Sequence, residues 1–326
     1  MLNIGKLQVN SNFLLAPMSG VTDYPYREIV KKFKPGLVFS EMIASRALLA
    51  QNSKTMKMIK KTDNYLSAVQ IAGCDPEVMA EASKICEDNG ADIIDINMGC
   101  PVKKVVNGYA GSALMKDEIL ATKILESVSN SVKVPVTLKM RKGWDDKSLN
   151  APKIAKIAEN SGIKMITIHG RTRCQMYKGK SDWKFVKNVK SNVKIPVLVN
   201  GDITNKDSLE QALKDSKADG AMIGRASIGN PWFFNQVKHF IKTGTYIALP
   251  SLSDRVKTAK RHLEMSISWK GNVLGVLETR RHYANYFKGY PNFKQYRKQM
   301  VTLNCPNEIY GLFDEVLEKY SLEEMV

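Results

Sequence analysis

The chain has 326 residues, of which 44% are apolar, so it can bury one large core and still supply a small second domain. Its 49 lysines and arginines against 32 aspartates and glutamates give a net charge of +17, which indicates either a polyanionic partner or simply a lysine-rich surface. Five cysteines without a CxxC pair argue against a disulfide framework and against a zinc site. The N-terminus lacks the pattern of a signal peptide and no run is apolar enough to span a membrane, so we expect a cytoplasmic protein with no membrane attachment.

Eight short apolar runs occur along the first three quarters of the chain, and they are the candidate strands. Several are rich in Val or Ile and lack polar alternation, which is typical of parallel strands buried on both faces. In chain order the runs are Phe13–Leu15, Leu37–Phe39, Ala68–Ile71, Ile93–Ile96, Val134–Leu138, Met165–Ile168, Val197–Val199 and Gly220–Ile223. The segments with helical spacing of apolar residues are Pro76–Asn89, Ser112–Ser129, Ala151–Asn160, Asp207–Lys214 and Trp232–Ile241.

This alternation of strands and helices predicts an α/β fold, a (β/α)8 TIM barrel that forms a catalytic domain over residues 1–243. A doubly wound open sheet is the alternative, and it would usually carry a GxGxxG turn after its first strand. The first strand ends in Ala16-Pro17-Met18 instead, which favours the barrel.

The composition changes after the segment Gly244–Ser253, and residues 244–326 are predicted to form a small all-helical bundle domain. Basic residues from Lys257 to Lys298 are interleaved there with the aromatic residues Tyr283, Tyr286, Phe287, Tyr290, Phe293 and Tyr296. We expect most of these aromatic side chains to form the core of the bundle. The basic residues form either a solvated face or a surface for the RNA backbone, and the size of the patch favours RNA.

A polar or glycine-rich segment ends or follows every predicted strand. Barrel enzymes place their chemistry on the loops after the strands, so these segments would share one face. In order they are Met18-Ser19-Gly20, Ser40-Glu41-Met42, Gln70, Asn97-Met98-Gly99-Cys100-Pro101, Lys139-Met140-Arg141, His169-Gly170-Arg171-Thr172-Arg173, Asn200-Gly201-Asp202 and Gly224-Arg225. This recurrence predicts an enzyme.

The last two of these segments predict a phosphate-bearing cofactor such as FMN. Loops after the seventh and eighth strands are the recurrent phosphate site of barrels. Gly201 and Gly224 let the backbone approach a ligand, and Arg225 adds a matching charge. The alternative is that the glycines merely turn the chain, which does not account for both of them together with the arginine.

Cys100 is the candidate catalytic residue, because it lies in the loop after the fourth strand and not within a strand. A buried cysteine is usually an inert apolar residue, an interpretation that fits Cys74 and Cys86 better. A thiol can act as a nucleophile or as an acid, and the sequence allows both roles. No histidine lies nearby in the sequence to activate Cys100 as a nucleophile.

The run Asp95-Ile96-Asn97-Met98-Gly99-Cys100-Pro101 resembles the signature of the tRNA-dihydrouridine synthases. Further motifs agree with it, and their order and spacing resemble the bacterial B-type branch: Ala16-Pro17-Met18-Ser19-Gly20-Val21-Thr22-Asp23, Gln70-Ile71-Ala72-Gly73, Lys139-Met140-Arg141-Lys142-Gly143-Trp144, His169-Gly170-Arg171-Thr172, Asn200-Gly201-Asp202 and Gly224-Arg225-Ala226. The resemblance covers the barrel throughout, whereas the C-terminal part is similar in size and helicity more than in motif.

This resemblance implies an FMN enzyme that uses NADPH to reduce specific uridines of tRNA to 5,6-dihydrouridine. It implies that hydride passes from flavin N5 to uracil C6 and that Cys100 donates a proton to C5 from the opposite face. Asn97 and Arg141 would read the edge of the uracil, and Arg171 would touch RNA or phosphate. Lys139 or Arg141 would stabilise the negative charge that develops on the C4 carbonyl.

The resemblance also implies a set of cofactor-binding residues. These are Ala16, Pro17 and Met18 along the flavin, Gln70 and Lys139 at its ring edge, His169 at the flavin or its chain, and Asn200, Gly201, Asp202, Gly224 and Arg225 at the ribityl phosphate.

Three alternatives remain open from the sequence. The same chemistry can act on ribosomal RNA, or an FMN barrel oxidoreductase can act on a small molecule. The third alternative is an RNA-binding protein whose barrel has no catalytic activity. The polar or glycine-rich segment at the end of every predicted strand argues against it. A monomer without a metal site is the expectation in each case.

Overall fold

The computed structural model describes residues Met1–Glu323, with side chains described as far as Tyr320. The strands are β1 (Leu2–Ile4), β2 (Leu7–Val9), β3 (Phe13–Leu15), β4 (Val38–Phe39), β5 (Ile43–Ala44), β6 (Ser67–Ala72), β7 (Ile93–Met98), β8 (Val136–Arg141), β9 (Met165–His169), β10 (Val197–Asn200) and β11 (Gly220–Ile223). The helices are α1 (Tyr24–Val30), α2 (Ser45–Leu49), α3 (Ser53–Met58), α4 (Pro76–Asp88), α5 (Lys103–Val106), α6 (Glu118–Ser131), α7 (Ala151–Asn160), α8 (Trp183–Lys190), α9 (Lys206–Ser216), α10 (Phe233–Thr243), α11 (Leu252–Lys270), α12 (Asn272–Tyr286), α13 (Lys294–Thr302) and α14 (Pro306–Glu323), with 3-10 helices at Lys31–Phe33, Gly111–Lys116 and Arg225–Ser227.

Eight parallel strands form a barrel in the order β3-β11-β10-β9-β8-β7-β6-β4, and the short strand β5 extends the pairing along β6. Two backbone hydrogen bonds join the remaining pair of neighbours, from Leu15 N to Leu37 O (3.0 Å) and from Gly36 N to Phe13 O (2.8 Å). Each of the eight predicted strands overlaps one of these barrel strands. The predicted (β/α)8 barrel is therefore confirmed.

The hairpin of β1 and β2, which the sequence analysis missed, lies at the amino end of the barrel. Leu2, Ile4 and Val9 share a buried cluster with residues of the barrel strands, including Leu14 and Ile93. Burying these side chains removes apolar surface from water at the end of the barrel where the strands begin. The carboxyl ends of the strands are left for the polar residues.

Local capping fixes where the outer helices begin. Asp75 accepts hydrogen bonds from the backbone N–H groups of Glu77 and Val78 at the start of α4, as its pattern predicted. One predicted helix is wrong in its extent: Ser112–Ser129 is a 3-10 helix followed by α6. Asp117 separates the two and caps α6 by accepting from Leu120 N at 2.9 Å.

The contacts between residues divide the chain into two compact units. The first comprises residues 1–24 and 35–224, and the second comprises residues 25–34 together with the chain from Arg225 onward. Helix α10 therefore belongs by its contacts to the second unit, whereas the predicted domain boundary at residue 243 assigns it to the barrel domain. As a boundary between catalytic and RNA-binding domains, residue 243 stays a prediction.

The second unit has its own core, which is built largely from aromatic side chains. Tyr283, Tyr286, Phe287, Phe293 and Tyr296 are buried in it, as expected from the sequence. The basic residues of α11 to α13 and of the connection between α12 and α13 are mostly exposed. The exposed basic residues are Lys257, Arg261, Arg281, Lys288, Lys294, Arg297 and Lys298.

Helices long and apolar enough to cross a membrane do not occur within residues 1–323.

Candidate active site

The strand register places the predicted polar residues beside one another at the carboxyl ends of the barrel strands. Asn97 on β7 pairs with Lys139 on β8, and Asn200 on β10 pairs with His169 on β9. Gln70 lies beside Asp95 in the pairing of β6 with β7. Five adjacent strands, β6 to β10, therefore bring together these polar strand ends that the sequence predicted.

A chain of buried hydrogen bonds crosses β6, β7 and β8. The hydroxyl of Thr137 donates to Asp95 Oδ1 at 2.6 Å, and Gln70 Nε2 donates to Asp95 Oδ2 at 2.6 Å. Asn97 Nδ2 donates to Gln70 Oε1 at 2.8 Å. Asn97 Oδ1 then accepts the backbone N–H of Cys100 at 2.9 Å. The chain thus links the interior of the barrel to the loop that carries Cys100.

Two ionisable groups of opposite charge lie in this part of the barrel. Burial raises the pKa of Asp95 to about 6, although hydrogen bonds from Thr137 and Gln70 and the charge of Lys139 oppose the shift. Burial and the charge of Arg141 lower the pKa of Lys139 to about 8. Lys139 Nζ donates to Asn200 Oδ1 at 3.2 Å, so its ammonium group lies above the ends of β8 and β10.

Asn200 is oriented by contacts on both sides of its amide. Its Nδ2 donates to the carbonyl of Met222 on β11 at 2.8 Å, which leaves Oδ1 to accept from Lys139. The side chain is almost fully buried. Its amide thus contacts the Met222 carbonyl and the Lys139 ammonium, and its predicted role at the ribityl phosphate stays a prediction.

The loop that carries Cys100 is anchored at its backbone. The carbonyl of Cys100 accepts hydrogen bonds from Ser112 N (3.0 Å) and Ser112 Oγ (2.8 Å). Gly111 has a φ of 62°, and a Cβ there would lie 2.9 Å from the Cys100 carbonyl oxygen. A residue with a side chain at 111 would therefore push against Cys100. The thiol itself is half-buried, in keeping with a reactive group that a substrate can reach.

Arg141 is held by three backbone carbonyls and is only 2% exposed. Its Nε donates to Gly99 O, and its Nη1 donates to both Thr172 O and Met176 O, each at 2.8 Å. Burial lowers the pKa of Arg141 to about 10, which leaves the guanidinium charged at neutral pH. These contacts fix the loops after β7 and β9, and the predicted contact of Arg141 with uracil stays a prediction.

Arg171 is likewise 2% exposed, which leaves little of its surface for the predicted contact with RNA. Its Nη2 donates to Asp202 Oδ2 at 2.6 Å and to Gly179 O at 2.7 Å. Asp202 Oδ2 also accepts the backbone N–H of Ser181 at 2.8 Å. Arg171 Nη1 lies 3.3 Å from His169 Nε2, and a guanidinium can only donate, so Nε2 is the acceptor.

Two glycines keep the ends of β10 and β11 free of side chains. A Cβ at Gly201, whose φ is 110°, would lie 2.5 Å from Ser181 Oγ and 3.1 Å from His169 Nε2. A Cβ at Gly224 would lie 3.6 Å from Met18 Sδ and 3.7 Å from Ala16 Cβ. Gly224 therefore lies next to the predicted flavin-lining segment at the end of β3, which also contains Pro17.

Arg225 follows Gly224 directly in the chain and begins the second unit with the 3-10 helix Arg225–Ser227. Its predicted contact with phosphate stays a prediction.

Sequence reasoning missed Asp95 and Thr137 as parts of the site. Both lie inside strands and are buried, and their side chains meet each other rather than the mouth of the barrel. The signal was present, because a polar residue inside an otherwise apolar strand needs a hydrogen-bond partner. Groups of His, Cys, Asp and Glu side chains that could hold a metal ion do not occur in the described part of the chain.

The chain matches the family model described as Dihydrouridine synthase (Dus) over residues 14–321. It is 49% identical to "Probable tRNA-dihydrouridine synthase" of Rickettsia bellii, over 98% of each chain. It is 41% identical to tRNA-dihydrouridine synthase B of Pseudomonas putida, over 99% of this chain and 97% of that protein.

Two solved structures share the fold at low sequence identity. Histamine dehydrogenase from Rhizobium sp. 4-9 has a TM-score of 0.57 at 13% identity, over 81% of this chain and 50% of that chain. Morphinone reductase has a TM-score of 0.55 at 13% identity, over 77% of this chain and 91% of that chain. These likenesses support the barrel fold alone. The family match and the relatives confirm the resemblance of the motifs, and the chain belongs to the dihydrouridine synthase family.

Proposed function

We propose that the protein reduces specific uridines of tRNA to 5,6-dihydrouridine, with bound FMN as cofactor and NADPH as reductant. The observation that carries the proposal is the hydrogen-bond chain from Asp95 through Gln70 and Asn97 to the backbone of Cys100. It anchors the backbone of the half-buried Cys100 just after β7, where Lys139 interacts electrostatically with Cys100. Membership of the family and the names of the relatives support this assignment.

The residues at the strand ends fit a flavin mononucleotide. Ala16 and Met18 lie beside Gly224 at the end of β3, so an apolar ring there would meet apolar side chains and Pro17. Lys139 offers a charged donor at the same end of the barrel, together with the amide of Gln70 and the imidazole of His169. When bound, the flavin would supply a hydride to C6 of the uracil.

The phosphate of the cofactor would lie against the ends of β10 and β11. Gly201 and Gly224 carry no side chain that would cover the backbone there, and the φ of 110° at Gly201 favours glycine. The carboxylate of Asp202 already accepts from Arg171 and Ser181, so Asp202 would contribute through its backbone. Arg225 and the amide of Asn200 complete the proposed set.

Cys100 would protonate C5 of the uracil, with its thiol acting as general acid. The backbone contacts of its loop would hold the thiol in place for that transfer. The charge of Lys139 would stabilise the oxyanion that develops on the C4 carbonyl. Asn97 uses one Nδ2 proton on Gln70, and its second Nδ2 proton would reach a carbonyl of the base.

Arg141 and Arg171 take a different part in this proposal from the one that the motifs imply. Both guanidinium groups are buried among backbone carbonyls, so they would support the loops that contact the uridine. The exposed basic residues of the second unit, among them Lys288, Lys294 and Lys298, would contact the tRNA backbone. We expect a cytoplasmic monomer.

A single-turnover experiment tests this function. The flavin of the purified protein is reduced anaerobically and mixed with tRNA that lacks dihydrouridine, and reoxidation is followed by absorbance. We expect Cys100→Ala to retain flavin and tRNA binding and to reoxidise roughly 10²–10⁴-fold more slowly, as for a lost general acid. Full activity of the variant would exclude Cys100 as the acid.

Matched substrates in the same experiment separate the remaining alternatives. Reoxidation by ribosomal RNA but not by tRNA would move the proposal to ribosomal RNA. Reoxidation by a small enone alone would indicate a small-molecule oxidoreductase. Protein that is purified without visible absorbance and binds no added FMN would contradict the flavin chemistry altogether.

A further inference from the structure

Asp95 is a buried carboxylate that the proposed reaction does not use directly. It lies inside β7, five residues before Cys100, and is 1% exposed. Its two oxygens accept hydrogen bonds from Thr137 Oγ1 and Gln70 Nε2, both at 2.6 Å. A charged group so deeply buried is costly unless it has partners and a purpose.

The ionised carboxylate can only accept, and this property sets the direction of every bond that follows. Gln70 must turn its NH2 group towards Asp95, which leaves Oε1 facing Asn97. Asn97 must then donate its Nδ2, which leaves Oδ1 facing the backbone N–H groups of Gly99 (3.1 Å) and Cys100 (2.9 Å).

We propose that Asp95 is a positioning residue that fixes the orientation of the Gln70 and Asn97 amides and thereby holds the turn that presents Cys100. Neither amide has an intrinsic orientation, because its oxygen and nitrogen ends are nearly the same in shape. Asp95 accepts at both of its oxygens, and so it sets the direction of the hydrogen bonds through Gln70 and Asn97.

The surroundings of Asp95 agree with this role. The backbone N–H of Gln70 donates to Ser40 Oγ at 3.0 Å, and Ser40 Oγ donates onward to the carbonyl of Glu41 at 2.8 Å. This contact fixes the backbone of Gln70 without affecting which way its amide points. Lys139 is the charged group that faces Asp95, and its charge favours the carboxylate form.

The substitution Asp95→Asn is expected to reverse the direction of this series of hydrogen bonds while keeping the size of the side chain at position 95. Thr137 is fully buried and its hydroxyl donates to residue 95, so we expect it to remain a donor and to hold the oxygen of the new amide. The new amide then presents NH2 to Gln70, so the Gln70 amide must turn over. The Asn97 amide then turns over as well, and its NH2 group meets the N–H groups of Gly99 and Cys100. One NH2 group then faces two N–H donors with no acceptor between them, so the turn loses its hydrogen bonds.

The first test measures the exposure of the turn without relying on catalysis. The purified protein is treated with iodoacetamide, and alkylation of each cysteine is followed by peptide mass spectrometry. We expect Asp95→Asn to raise the alkylation rate of Cys100 severalfold, while Cys74, which is also half-buried, keeps its wild-type rate. An unchanged rate at Cys100 would overturn the proposal.

Two further variants distinguish an effect of hydrogen-bond direction from an effect of side-chain packing. The double variant Asp95→Asn/Gln70→Glu restores the direction, because the new amide donates to the new carboxylate, which then accepts from Asn97. Its Cys100 alkylation is expected to return to the wild-type rate. Thr137→Val removes one hydrogen bond to Asp95 but leaves the direction intact, and is expected to keep the wild-type rate. If Thr137→Val matches Asp95→Asn, or the double variant fails to restore the rate, the proposal is wrong.

The catalytic arm rests on the proposed function. Asp95→Asn is expected to bind tRNA with unchanged affinity and to slow flavin reoxidation about 10²-fold, as for a misplaced reacting group. Burial raises the pKa of Asp95 to about 6, so the wild-type rate is expected to fall as the pH drops through that value. The variant is expected to lack this acid limb. A wild-type protein that tRNA does not reoxidise would refute the proposed function, whereas a variant as fast as an active wild type would refute the role of Asp95.

Discussion

Replacing Arg141 with lysine separates a supporting role of this residue from a direct contact with substrate. The guanidinium donates to Gly99 O, Thr172 O and Met176 O, which belong to two different loops. A lysine ammonium keeps the charge, but it cannot reproduce the planar fork that spans both loops. We therefore expect Arg141→Lys to lose the hydrogen bonds to two of the three carbonyls.

The size of the effect follows from these contacts. Each buried polar group left without a partner costs roughly 1–3 kcal/mol, so two of them cost about 2–6 kcal/mol. Such a loss is a large part of a typical unfolding free energy of roughly 5–15 kcal/mol. For a domain of this size it lowers Tm by about 2–4 °C per kcal/mol.

Urea denaturation of protein freed of bound ligand measures this loss, because a bound ligand adds a stabilising contribution that depends on its Kd and can differ between the variants. Arg173→Lys is a matched control, because Arg173 also follows β9 and its guanidinium lies 4.7 Å from the Trp144 ring rather than on these carbonyls. If Arg141→Lys keeps the wild-type unfolding free energy and loses only activity, the supporting role is wrong and Arg141 acts on the substrate.

Three further predictions concern charge. Because burial lowers the pKa of Lys139 to about 8, the rate of flavin reoxidation by tRNA is expected to fall as the pH rises through 8. Lys139→Met is expected to be slow at every pH, without this fall. A wild-type rate that stays flat to pH 9 contradicts the prediction. Burial and the nearby His262 lower the pKa of His282 well below its ordinary value, so its contribution to stability is complete above about pH 6.5 and is lost as the pH falls. Acid unfolding followed by circular dichroism is expected to be less steep in His282→Gln, and an identical profile counts against the argument. Finally, the affinity for tRNA is expected to fall steeply as the salt concentration rises. Replacing Lys288, Lys294 and Lys298 with alanine is expected to reduce the slope of the log association constant against log salt concentration by about 0.7–0.9 for each lost phosphate contact. An unchanged slope excludes these lysines from the interface.

The barrel could be predicted because its strands are buried on both faces. Their sequences are short apolar runs, and this pattern does not depend on which residues are neighbours in space. The end of β8 shows the limit of that reasoning. The apolar run stops at Leu138, whereas the strand continues to Arg141, because Lys139 and Arg141 lie at the polar end of the barrel, where partners exist for both charges.

The roles of individual polar residues were harder to predict than their positions. Asp95, Gln70 and Asn97 come from two strands, and nothing in the sequence tells which amide end faces which partner. Arg171 looks like a surface cation by composition, yet it is buried against Asp202. Motif matching predicts which residues belong to the site, whereas their contacts depend on backbone carbonyls that only the folded chain brings together.

The second unit shows the same distinction between composition and contact. Most of its aromatic residues were expected in the core on grounds of hydrophobicity, and Tyr283, Tyr286, Phe287, Phe293 and Tyr296 are buried there, whereas Tyr290 is partly buried. Its inclusion of residues 25–34 could not be foreseen, because that segment lies between two barrel strands in the sequence. Tyr26 from this segment packs its ring 4.5 Å from that of His282, a contact with no local sequence signal.

The most direct test of the proposed function is a count of dihydrouridine. The purified protein is incubated with NADPH and unmodified tRNA, and the nucleosides are mapped by mass spectrometry. We expect a gain in mass of two hydrogen atoms at one or more defined uridines, which is lost in Cys100→Ala. Protein that carries flavin and is reduced by NADPH, yet leaves every uridine of tRNA unchanged, would contradict the proposal.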